Sequence, residues 1–301
     1  MTSTDPFLRA LTGDADEATV TLRRRYRATP AQVWDAITTP ERIARWFGTI
    51  VGAAPARPGD EFLVDIGGGR VRRAVVDGCD APRALAYTWW SGDDDPGAVR
   101  IRLSAVGDGD TELTVTHDRL RPHWTVAYGA GWEASLAALD GALGAPVEPT
   151  GGAPRWELLR ARPLEVTVRL DAPRGRVWDA FTTVPGLSSW WWNHWDDVEV
   201  QADVRVGGAY RFAAPAQGMT VAGEYLVVEP ARRLAFTWVW TDVDGASADE
   251  AVEIVFADAG GGTSIRIRHT GPWESDEPAG AYRQGWEFVI GALGRALAPH
   301  S

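Results

Sequence analysis

Apolar and polar residues alternate with a period of two through most of this chain. In Leu164-Glu165-Val166-Thr167-Val168-Arg169-Leu170 every even position is apolar and every odd one polar, which predicts a half-buried strand. The same alternation, interrupted by Gly, Asp and Pro turns, predicts strands over 61–66, 72–77, 84–90, 99–106 and 112–117. It returns over 209–213, 221–228, 233–240, 251–257 and 264–269. Elsewhere the period is helical. Thr29-Pro30 sets a cap and a first-turn proline before Val33, Trp34 and Ile37; Asp171, Ala172 and Pro173 do the same before Val177, Trp178 and Phe181. A second short helix follows another proline, over 41–46 and over 186–191. Trp132, Leu136, Leu139 and Leu143 share one face of a longer helix, and Trp286, Val289, Ile290, Leu293 and Leu297 one face of another. The fold class is α+β: an antiparallel sheet, two short helices after its first strand, and a long C-terminal helix that the sheet wraps around.

The pattern occurs twice. Val33-Trp34-Asp35-Ala36 returns as Val177-Trp178-Asp179-Ala180, and Leu85-Ala86-Tyr87-Thr88-Trp89 as Leu234-Ala235-Phe236-Thr237-Trp238. Tyr128 with Gly131-Trp132-Glu133 returns as Tyr282 with Gly285-Trp286-Glu287, so the offset grows from 144 to 154 through loop insertions. The order is kept, which predicts a duplicated domain. The expected boundaries are a flexible N-terminus over 1–18, domain 1 over 19–144, a Pro/Gly-rich linker over 145–163 and domain 2 over 164–301.

Composition narrows the function. Acidic residues number 41 against 30 basic, a net charge of -11, which argues against a nucleic-acid partner. No apolar run approaches the ~20 residues that span a bilayer, so no membrane role is expected and the location is read as cytoplasmic. The chain contains no lysine, which excludes Schiff-base chemistry on a lysine side chain. The single cysteine, Cys79, allows no intrachain disulfide. No phosphate loop, nucleophile elbow or paired-cysteine motif is present, and no cofactor is implied. His194 with Asp196 and Asp197 is too compact for a metal site.

The chemistry-bearing candidates fall at repeated positions. His117 follows Leu113 and Val115 at period two, and His269 follows Ile265 and Ile267, so each domain has one inward histidine at a strand end. Each is either a polar handle or acid/base group in an apolar pocket, or a buried side chain tied to the backbone. Tyr87 and Trp89, with Tyr210, Phe236, Trp238 and Trp240, form aromatic stripes. Opposite Trp132 and Trp286 they would wall a cavity for a planar ligand, or simply fill a core. Nine tryptophans in the second domain against six in the first favour the second as ligand site. The run Trp190-Trp191-Trp192, with Trp195, is hard to bury at a helix end and reads as a lid or contact surface. Asp93-Asp94-Asp95 and Asp242 with Asp244 read as solvated hairpin tips.

In these residues the chain resembles the START-type helix-grip fold of the SRPBCC superfamily, and within it the activator-of-heat-shock-protein-ninety-ATPase homologue group. The pieces are the "VWDA" helix, the tryptophan closing the next helix (Trp46, Trp190), the Pro58-Gly59-Asp60 and Gly207-Gly208 turns, "LAYTW" or "LAFTW", and the final helix near "GW". The resemblance covers about residues 19–144 and 164–298. It implies two tandem helix-grip domains, a fold shared by carriers, cyclases, co-chaperones and resistance proteins. The aromatic stripes and the lack of a catalytic motif favour a hydrophobic, polycyclic natural product bound between sheet and C-terminal helix, by a binding protein more than by an enzyme. The lysine-free, arginine- and alanine-rich composition is similar to that of GC-rich actinobacteria, where such domains accompany natural-product pathways. Three further roles follow from the resemblance. One is polyketide cyclase or dehydratase chemistry at His117 or His269. Another is self-resistance like that of calicheamicin-type proteins, by cleavage at a glycine, for which Gly218 and Gly223 are candidates. The last is co-chaperone activity.

Overall fold

A computed structural model describes residues 7–52, 54–90, 96–144 and 151–298. The chain separates into two compact units, the first built on Asp14–Trp156 and the second on Glu157 onward. The first repeat runs β1 (Phe7–Gly13), β2 (Ala18–Tyr26), α1 (Pro30–Thr38), α2 (Pro40–Ile43), β3 (Thr49–Gly52), β4 (Glu61–Asp65), β5 (Val71–Asp80), β6 (Ala84–Trp90), β7 (Gly97–Val106), β8 (Asp110–Leu120) and α3 (Thr125–Ala142). After α4 (Gly152–Ala161) the second runs β9 (Leu164–Leu170), α5 (Arg174–Thr182), α6 (Val184–Ser188), β10 (Glu199–Ala202), β11 (Ala209–Ala214), β12 (Met219–Glu229) and β13 (Arg233–Asp242). It ends with β14 (Gly245–Ala246), β15 (Glu250–Ala259), β16 (Gly262–Thr270) and α7 (Glu277–Leu297).

The alternation becomes strand because each sheet buries one face. Phe62 and Val64 of β4 are buried while Glu61, Leu63 and Asp65 are exposed. The first sheet has the order β1-β2-β8-β7-β6-β5-β4-β3, and the second β10-β11-β12-β13-β15-β16-β9 with β14 beside β13. All pairings described residue by residue are antiparallel. Irregularities between Val76 and Gly78 and between Tyr225 and Val227 fall at matching places in the two sheets and increase their local twist. The long helices lie over the concave faces, α3 against β2 and α7 against β9. Helix α1 starts as its sequence predicts: Thr29 and Gln32 form a reciprocal capping box with Pro30 in the first turn.

Two expectations are corrected. The N-terminal segment over 1–18 was expected to be flexible, yet Phe7–Gly13 is a strand with Phe7, Ala10 and Leu11 buried. The segment over 145–163 was expected to be a linker, yet Gly152–Ala161 is helical and Trp156 is fully buried. One residue explains both. Glu133 of α3, itself fully buried, receives a bidentate pair from Arg9 (Nε–Oε2 2.9 Å, Nη2–Oε1 2.8 Å) and the indole N–H of Trp156 (3.3 Å). A buried carboxylate needs such partners, and they lie far away in sequence.

Candidate ligand cavities

Each repeat keeps a cavity between sheet and long helix. The first encloses about 620 Å³ and the second about 420 Å³, both within the roughly 300–1,000 Å³ usual for small-molecule sites. The first is walled by Trp89 of β6, by Tyr128, Gly131 and Trp132 of α3, and by Phe47, which stacks on Trp132 at 5.2 Å. Arg70 and Arg72 also line it, in and just before β5. The second is walled by Trp238 and Trp240 of β13, Tyr282, Gly285 and Trp286 of α7, and Trp191 and Trp192. The first domain, with fewer tryptophans, thus has the larger cavity. Trp191 stands where the first domain has Phe47, since Trp190 and Trp46 anchor identically, each indole N–H donating to the carbonyl ten residues earlier (2.9 and 3.0 Å).

The tryptophan run is corrected from a lid to a wall. Trp190, Trp191 and Trp192 are 1%, 4% and 7% exposed. Trp192 adopts φ 49°, a left-handed conformation that costs a bulky residue roughly 1–3 kcal/mol and here sets its indole edge-on to Trp240 at 5.9 Å. Asp242 is likewise more than a solvated tip. It lines the second cavity and accepts hydrogen bonds from the Trp240 indole (2.7 Å) and the Asp244 amide (2.9 Å). These hold its carboxyl below the usual range, the Trp240 bond most of all. Asp93, Asp94 and Asp95 lie outside the described residues.

The remaining sequence candidates sit deeper. Tyr87 is buried beside Trp89 at 5.9 Å. Tyr210 and Phe236 face a void of only about 20 Å³, and the Tyr210 hydroxyl donates to the Thr237 carbonyl (2.7 Å). Burial pushes both phenols upward, so neither ionises near neutral pH. His117 and His269 are fully buried and are not among the residues lining either large cavity. Each is tied to its long helix: Trp132 Nε1 donates to His117 Nδ1 at 3.2 Å, and Trp286 Nε1 to His269 Nδ1 at 3.4 Å. Burial first, then Arg119, lowers the His117 pKa to about 3. His117 Nε2 abuts Gly97; the strand register puts Glu250 at the matching place, 3.5 Å from His269 Nε2. That buried carboxylate also accepts from Tyr282 (2.8 Å), Trp273 (3.0 Å) and Ser247 (3.1 Å).

Gly218 lies in an exposed turn at φ 65°, and Gly223 faces the Tyr210 ring; neither lines a large cavity. The cavity glycines are Gly131 and Gly285, where a Cβ would meet nothing within 4 Å. Both belong to the repeated Gly-Trp-Glu motif, whose spacing alone does not assign them to the cavity. Phe47, Arg70, Arg72, Trp191, Trp192 and Tyr282 were likewise not singled out as ligand contacts. Among the described residues no group of three or more His, Cys, Asp or Glu side chains could hold a metal ion, and no helix is long and apolar enough to cross a membrane.

Two repeats that each close a curved antiparallel sheet on a long helix, with a cavity between, define a tandem helix-grip protein. Residues 27–144 and 171–298 each match the family described as "Activator of Hsp90 ATPase homolog 1-like protein", and the chain belongs to that family. No curated protein matches the chain. Among solved structures it is similar to CalU16 from Micromonospora echinospora, with 30% identity over 46% of this chain and 86% of that one at a TM-score of 0.41. It is also similar to DynU16, of the dynemicin biosynthetic locus, with 18% identity over 94% of this chain and 98% of that one at a TM-score of 0.40.

Proposed function

We propose that the protein binds a hydrophobic polycyclic natural product of secondary metabolism in the cavity between sheet and long helix. The observation that carries the reading is the pair of aromatic-walled cavities at matching places in the two repeats. Indole and phenyl faces suit a planar, poorly soluble ligand, and the buried phenols and His117 offer no acid/base group at neutral pH. Gly131 and Gly285 support it further, because glycine at mid-helix costs stability and here leaves the cavity floor open.

Those glycines also provide the test. Gly131→Phe and Gly285→Phe add a ring where the backbone leaves room, so each fills one cavity without disturbing the core. Anthraquinone titrated against the full chain is expected to quench tryptophan emission at two sites of unequal affinity, and each variant to lose one of them. Quenching that both variants leave untouched would place the ligand elsewhere and contradict the reading.

Self-sacrificial cleavage is the second reading, favoured by the same placement. A radical formed on a bound ligand would take a hydrogen atom from the Cα of Gly131 or Gly285 rather than from Gly218 or Gly223, and dioxygen adding to the resulting Cα radical would supply the oxidation that breaks the backbone there. Fragments ending at those positions after exposure to an activated enediyne would support it; an intact chain would count against it.

A further inference from the structure

The two cavities differ in one respect that the duplication makes visible. In β5, Arg72 pairs with Val64, whose side chain is fully buried, and opposite residues of an antiparallel pair share a face. Arg72 therefore occupies an inward position of the sheet, in line with the buried Ala74 and Val76. The registers identify its counterpart. Ala74 pairs with Trp89 as Gly223 flanks the line of Trp238, and Arg72 pairs with Val64 as Val221 pairs with Phe212. The second domain thus has a fully buried valine where the first has an arginine in its cavity wall.

Arg72 is half-buried and Arg70 exposed, whereas the first domain's buried arginines are neutralised. Arg9 meets Glu133 and Arg24 meets Asp140. Arg73, next in sequence but on the outer face, pairs with Glu61 at 2.6 Å. Arg70 and Arg72 have only carbonyl contacts, to Gly67 at 3.2 Å and Val71 at 3.3 Å, and no carboxylate within ion-pair range among the described residues. Trp89 Nε1 in this wall is buried with no hydrogen-bond partner, as are Trp191 Nε1 and Trp238 Nε1 in the wall of the second cavity, so the indoles do not distinguish the two. Guanidinium groups without a carboxylate on one aromatic cavity call for an acceptor that is negatively charged. The second cavity carries Asp242 and no arginine.

We infer that the first cavity selects an anionic ligand, a planar aromatic bearing a carboxylate or ionised phenol that Arg72 and Arg70 hold, while the second takes a neutral one. This rests on the carrier reading above and names the ligand class for one of its two sites.

The test uses the full chain with the second cavity filled by Gly285→Phe, and two probes of equal shape, 9-anthracenecarboxylate and 9-anthracenemethanol. The carboxylate is expected to bind about tenfold more tightly than the alcohol, the size of one charge-assisted hydrogen bond. Its affinity should fall as salt is raised from about 0.05 to 0.5 M, and the alcohol's should not. Arg72→Gln should remove about tenfold from the carboxylate and leave the alcohol within about twofold, with Arg72→Lys keeping part of the selectivity. Equal binding of the two probes, or equal losses on Arg72→Gln, would overturn the anion selectivity and leave the carrier reading standing. Failure of the unmodified chain to bind either probe would overturn both.

Discussion

His117 takes the Trp132 indole N–H on Nδ1, so its own proton sits on Nε2, against Gly97. Unfolded, an imidazole titrates near ~6.5; in this fold the value falls to about 3. Between the two the unfolded chain binds a proton that the folded chain refuses, so stability is lost as pH drops through that window. Lowering the pH from about 7.5 to 5.5 should cost the unmodified chain roughly 1.4 kcal/mol more than His117→Gln, measured by urea denaturation. Equal losses would mean that the histidine is not held neutral. Glu133 presents the reverse problem, a buried charge that must keep its partners. Glu133→Ala should destabilise by about 3–5 kcal/mol because it removes the carboxylate that balances the buried Arg9 charge and accepts from the Trp156 indole. Glu287→Ala, the exposed counterpart in the other repeat, should stay within about 0.5 kcal/mol. Thermal denaturation of the pair separates a structural carboxylate from one that merely belongs to a repeated motif.

The long helices combine packing on one side with an open floor on the other. Gly131→Ala should stabilise α3 by about 0.5–1 kcal/mol, since the added methyl meets open space and glycine is a poor helix former. A fall in melting temperature would show that the floor is closed. The sheet and these helices were legible in the sequence because alternation and helical spacing are local, and the second copy checked the first. Strand β1 and helix α4 were not legible, because their warrant is non-local: Arg9 stands 124 residues from Glu133, and Gly129 leaves the space into which the Trp156 ring packs. The aromatic stripes pointed to the cavity walls, since Trp89 and Trp238 follow from period two alone. Arg72 was out of reach. Placing it in a cavity needs the register of β4 on β5 and of their duplicates, which no spacing within one strand supplies. The tryptophan run was misread for a related reason. Its burial depends on Trp192 turning at positive φ, and composition carries no sign of that.

The chain carries one design twice and has varied it. Both repeats keep the tryptophan anchored to a helix carbonyl, the histidine tied to the long helix and the glycine at the cavity floor. They differ where a ligand would be read, with arginines lining one cavity and an aspartate the other. A strongly acidic chain, at net charge -11, repels anions at long range, so a local pair of arginines is the kind of feature that confers selectivity. Loss of either cavity should leave the other functional, because each is lined within its own repeat. Native mass spectrometry of the full chain with 9-anthracenecarboxylate and anthraquinone supplied together is the decisive experiment. A complex holding one of each is expected, reduced to one ligand by Gly131→Phe or Gly285→Phe. A chain that binds neither, or that keeps both ligands in the two variants, would contradict it.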